Sequence, residues 1–439
     1  MRSIIYIILT FISATCSVFS QSIDTQKLDT YFEMLSKHNK FMGSVAISKN
    51  NQILYEKAVG FLNLKDSIPA LTTTVYSIGS VSKTFTAVLI FKAIEQNKIH
   101  LTTTVDVFFP SLPQAKNITI ENLLNHSSGI ANFTDTIDYL TWYTQKKSEK
   151  EMLEIITSGG SDFKPGTKNA YSNSNYVLLS YILEHIFGKK YAEILDITIV
   201  QPLQLKNTYF GTSAIRKKQE ALSYTYTDQW NPEPDTHATV PMGAGAIKST
   251  ATDLVIFTNA LFNEKLIHKE SLKQMMTMTN GYGSGLFDYS FQNHNGIGHD
   301  GAIDGYKSII TYFEKKGLTY AVTSNGMNYK LDMISATISK ALFDIAYEIP
   351  SFVTVVLTPE QLDVFTGTYS AEGLPFKITI ARSEQSLTAQ ATGQAVLPLE
   401  TKSKNIFTFD KAGIELIFMS EENSMLLKQG GNQFQLQKE

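Results

Sequence analysis

Only one cysteine, Cys16, occurs in the 439 residues, so no disulfide can form within the chain. Basic residues are not in excess, since 38 Lys and Arg stand against 41 Asp and Glu for a net charge of −3. That balance lacks the electropositive footprint of a nucleic-acid binder. Histidine is scarce, and no His, Asp and Glu spacing suggests a metal site, so no metal and no cofactor is implied. Past the N-terminus no apolar run is long enough to cross a bilayer. Neither an internal repeat nor a low-complexity tract is visible. What remains is an ordinary apolar content at a length that suits one large domain plus a small one.

The first residues read as a leader. Met1-Arg2-Ser3 is positive, Ile4 to Ile12 is apolar but too short to span a membrane, and small residues follow to Gln21. This is the pattern of a secretory signal peptide over residues 1–20, with cleavage after Ser20 and a periplasmic or secreted product. The alternative is lipid anchoring at Cys16, though Ser13-Ala14-Thr15 matches the usual preceding residues poorly.

Ser77-Ile78-Gly79-Ser80-Val81-Ser82-Lys83 leads into a run through Ile94 that has no Gly or Pro and is apolar on nearly every side. That pattern predicts a buried helix opening near Gly79 and Ser80. Ser80 and Lys83 then share one face of its first turn. A serine hydroxyl attacks only when a neighbouring base takes its proton. A lysine serves as that base when burial and the positive end of a helix disfavour its ammonium form. Backbone N–H groups at the same helix end point where an oxyanion forms. A second Ser-x-x-Lys, Ser161-Asp162-Phe163-Lys164, runs into Pro165-Gly166 and so lies on a turn.

Two further polar stretches stand out. Tyr171-Ser172-Asn173 lies on a polar loop just ahead of an apolar helix predicted from Tyr176 to Phe187. Such a loop either presents a phenol and an amide to a cleft or simply caps the helix. His299-Asp300-Gly301-Ala302 leads into a predicted strand through Ile303 and Ile310, where Gly301 would let substrate backbone approach. His294-Asn295-Gly296 has the same form but sits in the polar loop before it.

Around these stretches the pattern predicts a hairpin of Gly43–Lys49 and Gln52–Val59 about Asn50-Asn51. Helices follow, then strands Ile309–Phe313 and Leu318–Thr323, then a helix from Met333 to Tyr347. Strands at both ends with helices between imply an α/β domain over residues 21–349 whose antiparallel sheet is completed by distant parts of the chain. Residues 350–358 read as a linker. Residues 359–439 carry short alternating strands separated by turns, the signature of a small all-β barrel or sandwich.

Order and company give these motifs their meaning. Ser-x-x-Lys, Tyr-x-Asn and His-x-Gly occur with Leu123-Leu124-Asn125-His126-Ser127-Ser128-Gly129-Ile130. Pro202-Leu203-Gln204-Leu205 and Gly243-Ala244-Gly245 complete the set. Over roughly Leu28 to Tyr347 the chain resembles the penicillin-recognising serine hydrolases, which include class C β-lactamases, D-alanyl-D-alanine carboxypeptidases, D-aminopeptidases and related esterases. The resemblance implies the β-lactamase/transpeptidase-like fold, an antiparallel sheet flanked by helices with an inserted helical subdomain. It makes Ser80 the acylated nucleophile, Lys83 its base partner, Tyr171 the proton shuttle or deacylation base, and Asn173 the group that positions lysine and substrate. His299 takes the place of the family's Lys in Lys-Thr-Gly, with Asp300 and Gly301 beside it toward the substrate. The backbone N–H groups of Ser80 and Ala302 form the oxyanion hole, and His126 is structural. Histidine at 299 leans toward the carboxypeptidase, aminopeptidase and esterase branch. Asp300 in place of Thr removes a hydroxyl for a substrate carboxylate, which counts against carboxypeptidase preference. The tail resembles the lipocalin-like domains appended to some members.

Two classes of function follow. One is a serine hydrolase acting on a small-molecule or peptide substrate: D-amino-acid peptides, small esters or amides. The other is a binding protein or sensor for β-lactams or peptidoglycan fragments that keeps the fold without turnover.

Overall fold

A computed structural model describes residues 23–211, 217–352, 355–384 and 386–439. The expected leader and Cys16 lie outside the described residues. Asn50 and Asn51 both adopt left-handed backbone, φ +50° and +67°, the conformation that two-residue hairpins demand. They join strand β1 (Phe41–Lys49) to β2 (Gln52–Val59). The remaining strands of this sheet arrive about 230 residues later as β3 (Phe287–Asp288), β4 (Ile297–Ile303), β5 (Tyr306–Phe313) and β6 (Leu318–Met327). The order is β3-β4-β5-β6-β1-β2, antiparallel throughout, with Ala46 opposite Ala321 where the two ends of the domain meet.

Side-chain alternation divides this sheet between two cores. Val45, Ile47, Tyr320 and Val322 face helices α1 (Thr25–Lys37) and α5 (Leu331–Leu342). Ala46, Ile310 and Ala321 face the other side, with α2 (Ser82–Glu95) and α4 (Ala251–Phe262). The small side chains there let α4 lie close, and Asn259 bridges Ser48 and Thr319 across the two strands. Both faces are covered, so β1 is buried along nearly its whole length. Helix α2 is likewise enclosed on all sides, its Phe85 stacked on Phe257 of α4 with ring centres 3.6 Å apart. The inserted helical segment, residues 105–210, supplies α3 (Asn173–Phe187), which packs along α2.

Three boundaries differ from the sequence-based expectation. Helix α3 starts three residues early, because Asn132 Oδ1 accepts the backbone N–H of Asn173 at 2.9 Å and so caps the turn from a distant loop. Helix α5 ends at Leu342, with Asp344 left-handed just beyond it. The stretch from Ile303 to Ile310 is not one strand: Asp304, at φ +52°, and Gly305 turn β4 back on β5. His299 is therefore mid-strand.

The C-terminal region is a nine-stranded, all-antiparallel sheet built from residues 367–438. Its two end strands, Leu397–Pro398 and Glu400–Thr401, are consecutive in the chain. Leu399 between them donates its N–H to Leu387 O at 2.9 Å, so the sheet nearly closes into a barrel. Among the described residues, fifteen buried apolar side chains fill it. Leu357 is one of them and Val355 packs against them, although both fall inside the stretch expected to be a linker. Lys40, only 3% exposed, reaches from the first domain to Glu400 and Asp410 of the barrel at 2.7 and 3.0 Å.

Candidate active site

The nucleophile turn comes first. Gly79 to Val81 form a single 3₁₀ turn ahead of α2, a geometry that brings i and i+3 over one another. Gly79 has φ +49°, and a Cβ on it would lie 2.9 Å from the Ala302 backbone. On β4, a Cβ on Gly301 would lie 2.2 Å from Ile78 O and 3.1 Å from Ser80 N. Two glycines thus seat strand and turn directly against each other, and the amide of Ala302 comes beside Ser80. Gly301 therefore serves the contact between strand and turn, which corrects the expectation that its missing side chain makes room for substrate.

Lys83 is fully buried. Its Nζ lies 2.9 Å from Ser80 Oγ, 2.8 Å from Asn173 Oδ1 and 2.7 Å from Ala244 O. Burial pushes the amine well below its usual range, against a smaller opposing pull from Asp300. In the neutral form, two N–H bonds go to the two carbonyls, which can only accept, and the lone pair is left facing the serine hydroxyl. The Tyr171 hydroxyl donates to Ser80 Oγ at 2.7 Å. Burial raises this phenol above its ordinary range, so it is a proton donor at neutral pH.

Two histidines flank the phenol. His126 Nδ1 accepts the N–H of Ser172 at 3.1 Å, and its ring lies 4.5 Å from that of Tyr171. It anchors the loop that carries the tyrosine. His299, on β4, sets its Nδ1 against Asp300 O at 2.5 Å and its ring 6.5 Å from Tyr171. Burial, with the Lys83 charge adding to it whenever that amine is protonated, holds His299 down at about 4, so it is neutral at pH 7. The Asp300 side chain leaves the site: it is exposed and accepts a hydrogen bond from Tyr289 at 2.7 Å. The expectation that Asp300 contacts substrate is corrected accordingly, because successive strand residues point to opposite faces.

A cleft of about 410 Å³ opens over Ser80 and Asn173. Phe133, Tyr139 and Tyr143 line one wall, and Ala302, Ile303 and Asp304 another. Neither Asp300 nor Gly301 is among its lining residues. Thr134 accepts from Asn173 Nδ2 at 3.2 Å, fixing the amide whose oxygen holds Lys83. Sequence reasoning missed Thr134, Tyr139, Tyr143, Asp304 and the Ala244 carbonyl. Only Ala244 carried a signal, in Gly243-Ala244-Gly245: a Cβ on Gly243 would lie 2.4 Å from both Ser180 Oγ and Thr86 Oγ1.

The competing motifs lie elsewhere. Ser161 Oγ is occupied by Gln114, Gly129 O and Phe163 O, and Lys164 is exposed. His294 stacks on Phe343 with ring centres 3.6 Å apart. Among the described residues there is no cluster of metal-ligating side chains and no helix long and apolar enough to cross a membrane.

A buried amine and a phenol, each within hydrogen-bond reach of one helix-end serine, on this fold, define a serine hydrolase. The chain belongs to the Beta-lactamase family, whose pattern matches residues 28–343. It is similar to penicillin-binding protein 4* of Bacillus subtilis, 25% identical over 92% of this chain and 97% of that protein. It is also similar to the teichoic acid D-alanine hydrolase of Staphylococcus aureus, 30% identical over 46% of this chain and 48% of that one. The octameric penicillin-binding protein homologue from Pyrococcus abyssi superposes with a TM-score of 0.70 at 23% identity, over 94% of this chain and 100% of that structure.

Proposed function

We propose that this chain cleaves D-amino-acid-containing peptides, small esters or amides through an acyl-enzyme on Ser80. The observation that carries the reading is the Lys83 amine, buried and held by two carbonyls with its lone pair left for the serine. As Ser80 Oγ bonds to the substrate carbonyl carbon, its proton passes to Lys83 Nζ. The backbone N–H groups of Ser80 and Ala302 hold the oxyanion. Tyr171 gives its proton to the leaving group as the carbonyl–leaving-group bond breaks, and the proton that Lys83 took from Ser80 restores the phenol. Water then attacks the ester, with the same groups returning the proton to Ser80. The D-alanine hydrolase among the relatives supports the substrate class.

Labelling with a fluorophosphonate or a fluorescent penicillin tests this. The expected adduct lies on the peptide holding Ser80 and vanishes in Ser80→Ala. An adduct on Ser161 would overturn the site, and a folded protein that takes no label and turns over no D-alanyl amide, p-nitrophenyl ester or cephalosporin would be a binding protein.

A further inference from the structure

The cleft over Ser80 has a marked charge asymmetry. Among the described residues that line it, Glu233 and Asp304 are the only charged ones, and none is a lysine or arginine. Lys248 lines an adjoining cavity that Asp304 also borders, and there it is engaged by carboxylates, 2.7 Å from Glu220 and 4.0 Å from Asp235. Lys83 is sealed beneath the serine.

Asp304 is more than a turn residue with an incidental side chain. Its two carboxylate oxygens accept from the N–H and the hydroxyl of Thr236, at 2.9 and 2.6 Å, which fix it in one orientation against the cleft. Tyr139 and Tyr143 share that corner: each phenol is raised first by burial and also by the negative charge of Asp304. Burial, with the charges of Asp235 and Glu233 adding to it, pushes the Asp304 carboxyl up to about 6 despite the two Thr236 bonds. A carboxylate in that position gains from any cation that enters. Two tyrosine rings beside it add a surface that cations also favour.

We propose that Asp304 is a specificity-determining residue that recognises the free ammonium group of an aminoacyl ester or amide. The inference rests on the hydrolase reading and narrows it: the preferred substrate carries a positive amine on the acyl side, and a substrate ending in a free carboxylate is repelled. A carboxylate substrate would meet two like charges, with no lysine or arginine among the described residues of the cleft to receive it.

The test compares D-alaninamide, N-acetyl-D-alaninamide and N-acetyl-D-alanyl-D-alanine. Titration calorimetry on Ser80→Ala protein reads binding without turnover. D-alaninamide is expected to bind about tenfold or more tightly than its acetylated form, with the carboxylate weakest. Adding Asp304→Asn should cut that ratio about tenfold. Asparagine tolerates the left-handed backbone at this position, and can accept from the Thr236 N–H while donating to its hydroxyl, so the turn is preserved. On the unsubstituted enzyme, the kcat/KM ratio of D-alanyl p-nitroanilide to its N-acetyl derivative should fall as salt rises from about 50 to about 500 mM, as expected of a charge contact partly open to solvent. A ratio unmoved by Asp304→Asn or by salt, or a preference for the acetylated or carboxylate ligand, would overturn the inference. If Ser80 takes no label, the hydrolase reading falls, while the binding ratio still decides this one.

Discussion

In the hydrolase domain burial takes in Lys83, His126, His299, Asn175 and Asp253, whereas in the barrel the buried polar side chains among the described residues are Thr401, Thr408 and Ser424. The barrel follows the simple rule of apolar inside and polar outside, and its strands alternate accordingly. The hydrolase domain departs from that rule around one turn. An isolated buried ammonium is strongly disfavoured, so burying Lys83 beside Ser80 changes what the lysine is: an amine with a lone pair. The contrast locates the chemistry: in the hydrolase domain burial pushes Lys83 toward its neutral amine, whereas in the barrel it raises Tyr369, a phenol that is neutral at pH 7 in any case.

The sharpest way to break this comparison is Ser80→Ala. Turnover should fall by on the order of a thousandfold or more with the fold intact. Undiminished steady-state hydrolysis by the purified variant would show that the buried polar cluster is not where the reaction happens.

Lys83→Met comes next, with an expected loss in kcat/KM of about a hundredfold to ten-thousandfold. It fills the same space but leaves Asn173 Oδ1 and Ala244 O without their shared donor. A destabilisation of about 1–3 kcal/mol should accompany the kinetic loss. Chemical denaturation reads it, and unaltered kinetics would mean that Lys83 is only a structural strut.

His299→Ala should lower kcat/KM about tenfold, and His294→Ala should stay within about twofold of the parent. His299 also makes a pH prediction. Its folded value of about 4 lies below the ordinary 6.5, so between those limits the unfolded chain binds a proton that the folded chain refuses. Stability should therefore drop as pH falls from about 6.5 toward 4, by up to about 1.4 kcal/mol per unit. Asp304, pushed up to about 6, acts in the opposite direction over much of the same window. The difference between parent and His299→Ala isolates the histidine. Equal slopes in the two proteins would remove it from the buried, neutral class.

These residues also mark how far the sequence could be read. Ser80, Lys83, Tyr171 and Asn173 were legible because local spacing and chain order carry them, and the Asn50-Asn51 hairpin because turn chemistry does. The barrel strands showed themselves through alternation, which β1 and β6 lack since helices cover both their faces. The start of α3 was hidden because its cap is Asn132, 41 residues away. Asp304 and Tyr139 were illegible for the same reason: what makes them cleft residues is a tertiary meeting at Thr236. Asp300 was misplaced because a strand was assigned without its pleat.

Lys40→Met carries the smallest expected effect on activity, within about twofold. It removes the cation between Glu400 and Asp410, and because Glu400 is about half exposed, a loss of only about 1–2 kcal/mol is expected in thermal or urea unfolding. A collapse of Ser80 labelling in this variant would mean that the barrel contributes more than packing to the site.

One contact has a consequence for how such a protein diversifies. Of the two carbonyls that hold Lys83, one belongs to a side chain, Asn173, and the other to the main chain of Ala244. A point mutation can delete the first but has no way to delete the second, since every amino acid brings the same carbonyl. Part of the lysine's tuning is therefore shielded from the genetic code. The walls of the cleft, Tyr139, Tyr143 and Asp304 among them, have no such protection and are free to drift toward new substrates while the proton-transfer apparatus beneath them stays in place.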